Sequence, residues 1–218
     1  MHYFGNRFPA FTLLTALIFA TPSFSLAGEE EANSAAEHTL QAEIALHRKD
    51  YLEASTEYRK AAELGESPEI ARQATRLAFD FGFDDEALRA AKRWHDLDPD
   101  SDEALIHLAQ IQLRTGDMRN ARRNFTTLIE RGDQPGDQRL FTLMGFISQE
   151  DAKRADQLMR SLAKPYADSA LAQYAVAAVA LQADELKIAM ERAELAIELD
   201  PDWIKAKLLY ARALLLAG

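Results

Sequence analysis

Five alanines recur along this chain at a nearly constant interval. They stand at positions 54, 87, 121, 155 and 189, separated by 33, 34, 34 and 34 residues. Each is followed four and seven residues later by a packing residue: Tyr58 and Ala61, Ala91 and Trp94, Phe125 and Leu128, Met159 and Leu162, Ala193 and Ala196. That spacing is one face of a helix. Glycine follows the same interval: Gly82 and Gly116 are 34 residues apart, and Gly116 and Gly218 are 102 apart, three times 34. A fixed period of this length marks an array of small units, each burying its apolar face only against its neighbours.

The prolines punctuate the array. Those beyond residue 27, at 68, 99, 135, 165 and 201, all fall near unit boundaries. Proline is excluded from helix interiors and tolerated in the first turn. Leu97-Asp98-Pro99-Asp100-Ser101 and Leu199-Asp200-Pro201-Asp202-Trp203 mark two of the boundaries. Each unit therefore reads as helix A, tight turn, helix B, loop. The small Ala lets two helices approach, and the larger residue beside it fills the gap.

These residues resemble the tetratricopeptide repeat (TPR). Repeat three carries the family's small and large positions at Ala109, Ala121, Phe125 and Leu128; repeat five carries them at Ala177, Ala189, Ala193, Ala196 and Pro201. Repeat one departs with Ala45 and repeat two with Thr75. Repeat four keeps Leu143 and Phe146 in helix A but turns through Ser148-Gln149-Glu150-Asp151, without Gly. The resemblance implies an all-α fold: a right-handed α-solenoid of about five stacked antiparallel helix pairs plus one extra helix. The expected units lie near 35–67, 68–101, 102–135, 136–169 and 170–203, with a partial unit at 204–218.

An export signal is expected ahead of the array. Met1 to Arg7 carries one Arg and one His, Phe8 to Ala20 is an apolar run of 13 residues, and Ser25-Leu26-Ala27 offers small residues for cleavage. That is the layout of a secretory signal peptide over 1–27, and the run is shorter than a membrane span. Residues 28–34 then read as an acidic, flexible N-terminus. The expected location is outside the cytoplasm, in the periplasm if the source is bacterial.

Composition closes several routes to chemistry. With 25 basic and 35 acidic residues the net charge is −10, which argues against a nucleic-acid footprint. There is no Cys, hence no disulfide, thiolate metal site, Cys nucleophile or lipidated Cys, and no lipid anchor is expected. The His residues, at 2, 38, 47, 95 and 107, are not spaced as metal ligands. The acidic run at 98–103 lacks the Gly and the spacing of a calcium loop and reads as an inter-repeat turn with a helix cap. Asn124-Phe125-Thr126 has the form of a glycosylation sequon, but Phe125 is an expected core residue. No phosphate-binding Gly loop or Gly-x-Ser-x-Gly elbow is present. The expectation is a non-enzymatic protein without a cofactor or metal.

The resemblance also implies where a partner sits, because helix A lines the concave groove in TPR superhelices. Transferred position by position, the groove residues are Glu43, Leu46 and His47 in repeat one, Arg72, Arg76, Phe79 and Asp80 in repeat two, and Ile106, Gln110, Leu113 and Arg114 in repeat three. Repeat four supplies Leu140, Met144 and Ile147; repeat five supplies Leu171, Tyr174 and Leu181. The groove is charged at its N-terminal end and apolar toward its C-terminal end, which suits a peptide or helix. Arg72, Arg76 and Arg114 are candidates to clamp a carboxylate, or simply to pair with Glu69, Asp80 or Glu103. Pro201 is expected to open the extra helix. Its Leu208, Leu209, Leu214, Leu215 and Leu216 are too many for one buried side. The expectations there are a longer repeat protein continuing past Gly218, a helix that docks on a partner or a second copy, or an apolar cap.

The functional expectation is an exported scaffold that binds a protein partner. Tyr51–Ala62, Pro68–Leu77 and the Ala87–Pro99 segment with Trp94 resemble TPR adaptors that present substrates to a periplasmic carboxyl-terminal processing protease. Those adaptors are often lipoproteins, and this chain has no Cys for a lipid. The alternatives are a periplasmic TPR part of an exopolysaccharide or envelope secretion machine, and an envelope enzyme with its catalytic domain beyond Gly218.

Overall fold

The computed structural model describes residues 25–218, all in helices, turns and short loops. The helices are α1 (Ser25–His47), α2 (Tyr51–Leu64), α3 (Pro68–Asp80), α4 (Asp84–Leu97), α5 (Asp102–Arg114), α6 (Met118–Glu130), α7 (Gly136–Ile147), α8 (Ala152–Leu162), α9 (Ala170–Gln182), α10 (Leu186–Leu199) and α11 (Ile204–Ala217). Odd-numbered helices are the A members of each unit and even-numbered ones the B members. Five A–B pairs stack in chain order and α11 packs on the last pair. The fold is an all-α helical-repeat solenoid of five pairs plus one helix.

The sequence explains where the helices start and stop. Asp50, Ser67, Ser101, Asp117, Asp151 and Ser169 each accept a hydrogen bond from the third backbone N–H of the helix that follows, satisfying a donor that has no partner inside the helix. Four A helices end in the same way. Lys49, Gly82, Gly116 and Asp184 adopt left-handed φ values of 63, 73, 84 and 61°. The next N–H then reaches back across the turn, as in Asp50 to Ala45 at 2.9 Å and Asp117 to Gln112 at 2.7 Å. Repeat four has no left-handed residue at this place. Its turn is tied from outside instead: Arg114 of α5 grips the Glu150 carboxylate with two bonds, of 2.8 and 3.1 Å.

The periodic alanines sit where helices touch. Ala54, Ala87, Ala121, Ala155 and Ala189 are 0, 0, 0, 1 and 0% exposed, and their four- and seven-residue partners are buried with them. The largest apolar cluster runs from α5 to α9 and is built on Phe125, Leu128, Leu140, Leu158 and Met159. The clusters of the first two units are smaller and rest mainly on Ala, with Tyr58 and Trp94 as the large members.

Two local expectations change. Residues 28–34, read as a flexible acidic terminus, lie within α1; Ala and Glu are strong helix formers. Pro201 does not open α11. It sits in a turn in which the Asp200 side chain accepts from the Asp202 N–H at 3.3 Å, and the helix starts at Ile204. The export-signal reading concerns 1–27, of which 1–24 lie outside the described residues. No described helix is long and apolar enough to cross a membrane. Ile204, Leu208, Leu214, Leu215 and Leu216 of α11 are exposed.

Candidate interaction surface on the A helices

Adjacent A helices pack one unit apart, so a side chain on one meets its counterpart about 34 residues later. This brings Arg72 and Arg76 of α3 to Glu103 of α5, each at 3.9 Å. Both arginines remain about half exposed, so this shared pairing is weak and leaves their guanidinium groups accessible. Arg114 is different. Besides Glu150 it donates to the Phe79 carbonyl at 3.1 Å, lies 3.7 Å from Asp84, and stacks 3.8 Å above the Phe79 ring. It locks α3, α4, α5 and the repeat-four turn together. Its charge is spent inside the protein, so the three-arginine carboxylate clamp reduces to Arg72 and Arg76.

The apolar half of the transferred groove divides in the same way. Leu113, Leu140 and Ile147 are fully buried. Gln110 is 2% exposed and donates to the Phe146 carbonyl at 3.1 Å. These four are core residues and offer no surface to a partner. The physical reason is close packing of α5, α7 and α9: large apolar side chains at these positions fill the seam between A helices. Ile106, Phe79, Met144, Leu171, Tyr174 and Leu181 are partly buried and keep an accessible edge.

The structure adds residues that transfer by position did not supply. Phe141 of α7, Tyr174 of α9 and Trp203 at the start of α11 form a ladder of rings, with centroids 5.8 Å apart for Phe141–Tyr174 and 4.7 Å for Tyr174–Trp203. All three are partly exposed. Phe141 follows an expected groove position by one residue, and Trp203 lies in the Pro201-Asp202-Trp203 boundary; their aromatic character was the available signal. His107 of α5 lies between Phe79 and Trp94, at 5.5 and 5.6 Å. Burial is the largest influence on it, and holds its pKa below the ordinary value against the pull of Glu103.

Among the described residues no group of three or more His, Asp or Glu is placed to hold a metal ion. The A face offers a strip of charge at α3 and α5 and a strip of rings at α7, α9 and α11. It can form charge-assisted hydrogen bonds and flat apolar contacts.

No family model matches this chain, and no curated protein matches it. Solved structures do. A structure described as YrrB, a TPR protein with an unusual peptide-binding site, shares 18% identity at a TM-score of 0.43, over 87% of this chain and 97% of that one. The MamA protein shares 13% at 0.44, over 79 and 95%. A tetratricopeptide repeat protein from Parabacteroides merdae ATCC 43184 shares 14% at 0.46, over 85 and 74%. At TM-scores below 0.5 these likenesses add nothing to the fold, which the chain's own helix pairs define. Its stacked A–B pairs and its period of 33 and 34 residues make it an all-α helical-repeat solenoid, the fold that the TPR resemblance implied.

Proposed function

We propose that the chain is an exported, non-enzymatic scaffold that binds a protein partner along its A helices. The observation that carries this reading is the accessible ring ladder Phe141–Tyr174–Trp203, on A helices of the same array whose α3 carries the half-exposed pair Arg72 and Arg76. Rigid aromatic side chains supply large contact area at little entropic cost and dominate binding energy at interfaces. A peptide with an apolar anchor and a carboxylate toward one end fits that layout. Phe141→Ser with Tyr174→Ser should abolish partner capture from the native cell envelope while leaving helical circular dichroism unchanged; undiminished capture rejects the A face as the site.

The finer assignment is presentation of substrates to a periplasmic carboxyl-terminal processing protease. It rests on the resemblance of Tyr51–Ala62, Pro68–Leu77 and Ala87–Pro99 to such adaptors. Crosslinking in the envelope followed by mass spectrometry tests it: recovery of a processing protease with its substrates supports it, and recovery of polysaccharide-export proteins instead replaces it with the secretion-machine reading. The exposed leucines of α11 are a second surface assigned to protein contact, by a copy of the chain or a further helix. Leu215, 84% exposed, is its most accessible member. Leu215→Glu should reduce any concentration-dependent association seen by sedimentation.

A further inference from the structure

The opposite, B-helix side of repeats three to five has its own architecture. Three cavities of about 480, 660 and 300 Å³ meet there, flanked by α6, α8 and α10. Ser161 lines all three. They open because repeat four is irregular. Its B helix, α8, has only 11 residues, and seven residues (163–169), with a 3-10 turn over Lys164–Tyr166, separate it from α9. The other units use three to five. Tyr166 folds back from this link onto Gly136, where a methyl group would run into its hydroxyl, and its ring forms one wall.

The lining inverts the sign of the protein. The chain has ten more acidic than basic residues. Yet the cavities are lined by six cations, Arg119, Arg122, Arg123, Arg160, Lys164 and Arg192, against one carboxylate, Glu130. Among the described residues, Arg119, Arg122, Arg123 and Lys164 have no acidic partner within 4.0 Å. Arg192 is held by a neutral group: the Oε1 of Gln173, which is 2% exposed, accepts from it at 3.2 Å, and the Gln173 amide is itself fixed to the Ala167 carbonyl at 2.6 Å. Arg160 pairs with the buried Asp156 at 2.5 Å, but its Nε is buried without a hydrogen-bond partner among the described residues. Five of the six cations are arginines, whose fork takes a carboxylate through two bonds. Between them the walls are apolar, with Leu158, Leu162, Ala163, Pro165 and Val176.

We propose that this B-side groove binds an acidic peptide segment of a partner protein, one in which carboxylates alternate with small apolar residues. The cavities are concave, which suits an extended chain better than a membrane plane. A nucleic-acid duplex would extend its phosphates over the acidic remainder of the surface. A short peptide escapes that repulsion, because charges beyond roughly 8–10 Å are screened at physiological salt. The site is separate from the A-face strip and stands or falls apart from it.

The test is fluorescence polarisation with the full chain and a fluorescein-labelled peptide of alternating Glu and Ala. The peptide should bind, less tightly as salt rises. Arg119→Glu, Arg122→Glu and Arg192→Glu together should weaken it about tenfold or more, while Arg72→Glu with Arg76→Glu leaves it unchanged. Should the triple variant lose its helical signal, Arg122→Gln alone, at an exposed position without an ion pair, keeps the fold and should weaken binding about twofold to threefold. No peptide binding, or binding indifferent to the B-side changes, overturns the proposal. So does binding of phosphatidylglycerol vesicles or single-stranded DNA with the peptide ignored. Loss of A-face partner capture with peptide binding intact would leave this groove standing.

Discussion

Arg114 on the A side and Arg122 on the B side are the same residue type, a few positions apart in sequence, and they do opposite things. Arg114 meets Glu150 one unit later, Phe79 one unit earlier and Asp84 beside it. Arg122 looks one unit ahead at Gln157 and Ser161, with which it shares a cavity wall, and finds no charge. In a solenoid the partner of a surface charge is written about one period away, so a paired charge reads as structure and an unpaired cluster reads as available. On the B side of the first two units, Arg59 of α2 likewise finds a partner in the next B helix, pairing with Glu86 of α4, 27 residues later, at 2.5 Å.

The largest test of this contrast is to remove one partner on each side. Glu150→Ala strands a guanidinium that is only 27% exposed and unties the one A–B turn that lacks a left-handed residue. It should cost about 2–3 kcal/mol in urea unfolding, less than a fully buried pair because Arg114 keeps some solvent and Asp84. Arg122→Gln should stay within about 0.5 kcal/mol of the parent. Equal costs would erase the distinction between the two arginines. The frame that holds both faces is tested next. Ala121, fully buried at the α6 contact, leaves no space, so Ala121→Trp should cost roughly 1–3 kcal/mol. Unchanged thermal unfolding would break the repeat alignment itself.

Much of this architecture was legible because it is repetitive. The Ala positions, their packing partners and the turn glycines stand at one interval, and burial at that interval is what the structure has. The site was less legible, and the reason is specific. The A-helix positions came by resemblance, while the helical period was applied only to the B helices. Applied to α5 and α7, it picks out Leu105, Ala109 and Leu113, and Leu140, Leu143 and Ile147, as stripes of one face. All six are buried. The ring ladder was not legible, since Phe141, Tyr174 and Trp203 meet across three helices. Nor was the B-side groove, which depends on a shortened helix and a long link rather than on any motif.

A smaller effect concerns the turns. Lys49 carries a side chain in the left-handed conformation that Gly82 and Gly116 occupy freely. Lys49→Gly should relieve steric strain and, after the loss of chain stiffness, stabilise the protein by about 0.5–1 kcal/mol. The same exchange at Asp184 should gain less, because Asp tolerates this region better than Lys. Repeat four offers no such gain, as its turn already rests on Glu150 and Arg114.

The smallest expected effect is a pH dependence confined to the A side. His107 is wedged between Phe79 and Trp94, with both ring nitrogens buried and unpartnered. Burial, aided by the nearby Arg76 guanidinium, holds its pKa below the ordinary 6.5, against Glu103, the Gln110 amide and Asp80. In the unfolded chain it takes up a proton near 6.5; in the folded chain it does so only at lower pH. Between those values the unfolded state binds more protons, so stability must fall as pH drops below 6.5 and must be unaffected by this group above it. His107→Phe should flatten that slope in denaturant titrations run between about pH 5 and pH 7. Arg76→Gln should lessen it, since one cation opposing the imidazolium is gone. The B helices of repeats three to five carry no His, so Arg122→Gln should leave the slope as it was. A slope that responds to Arg122 but not to Arg76 would mean that the two faces are electrostatically coupled through the solenoid, and that the division between paired and unpaired arginines does not separate their roles.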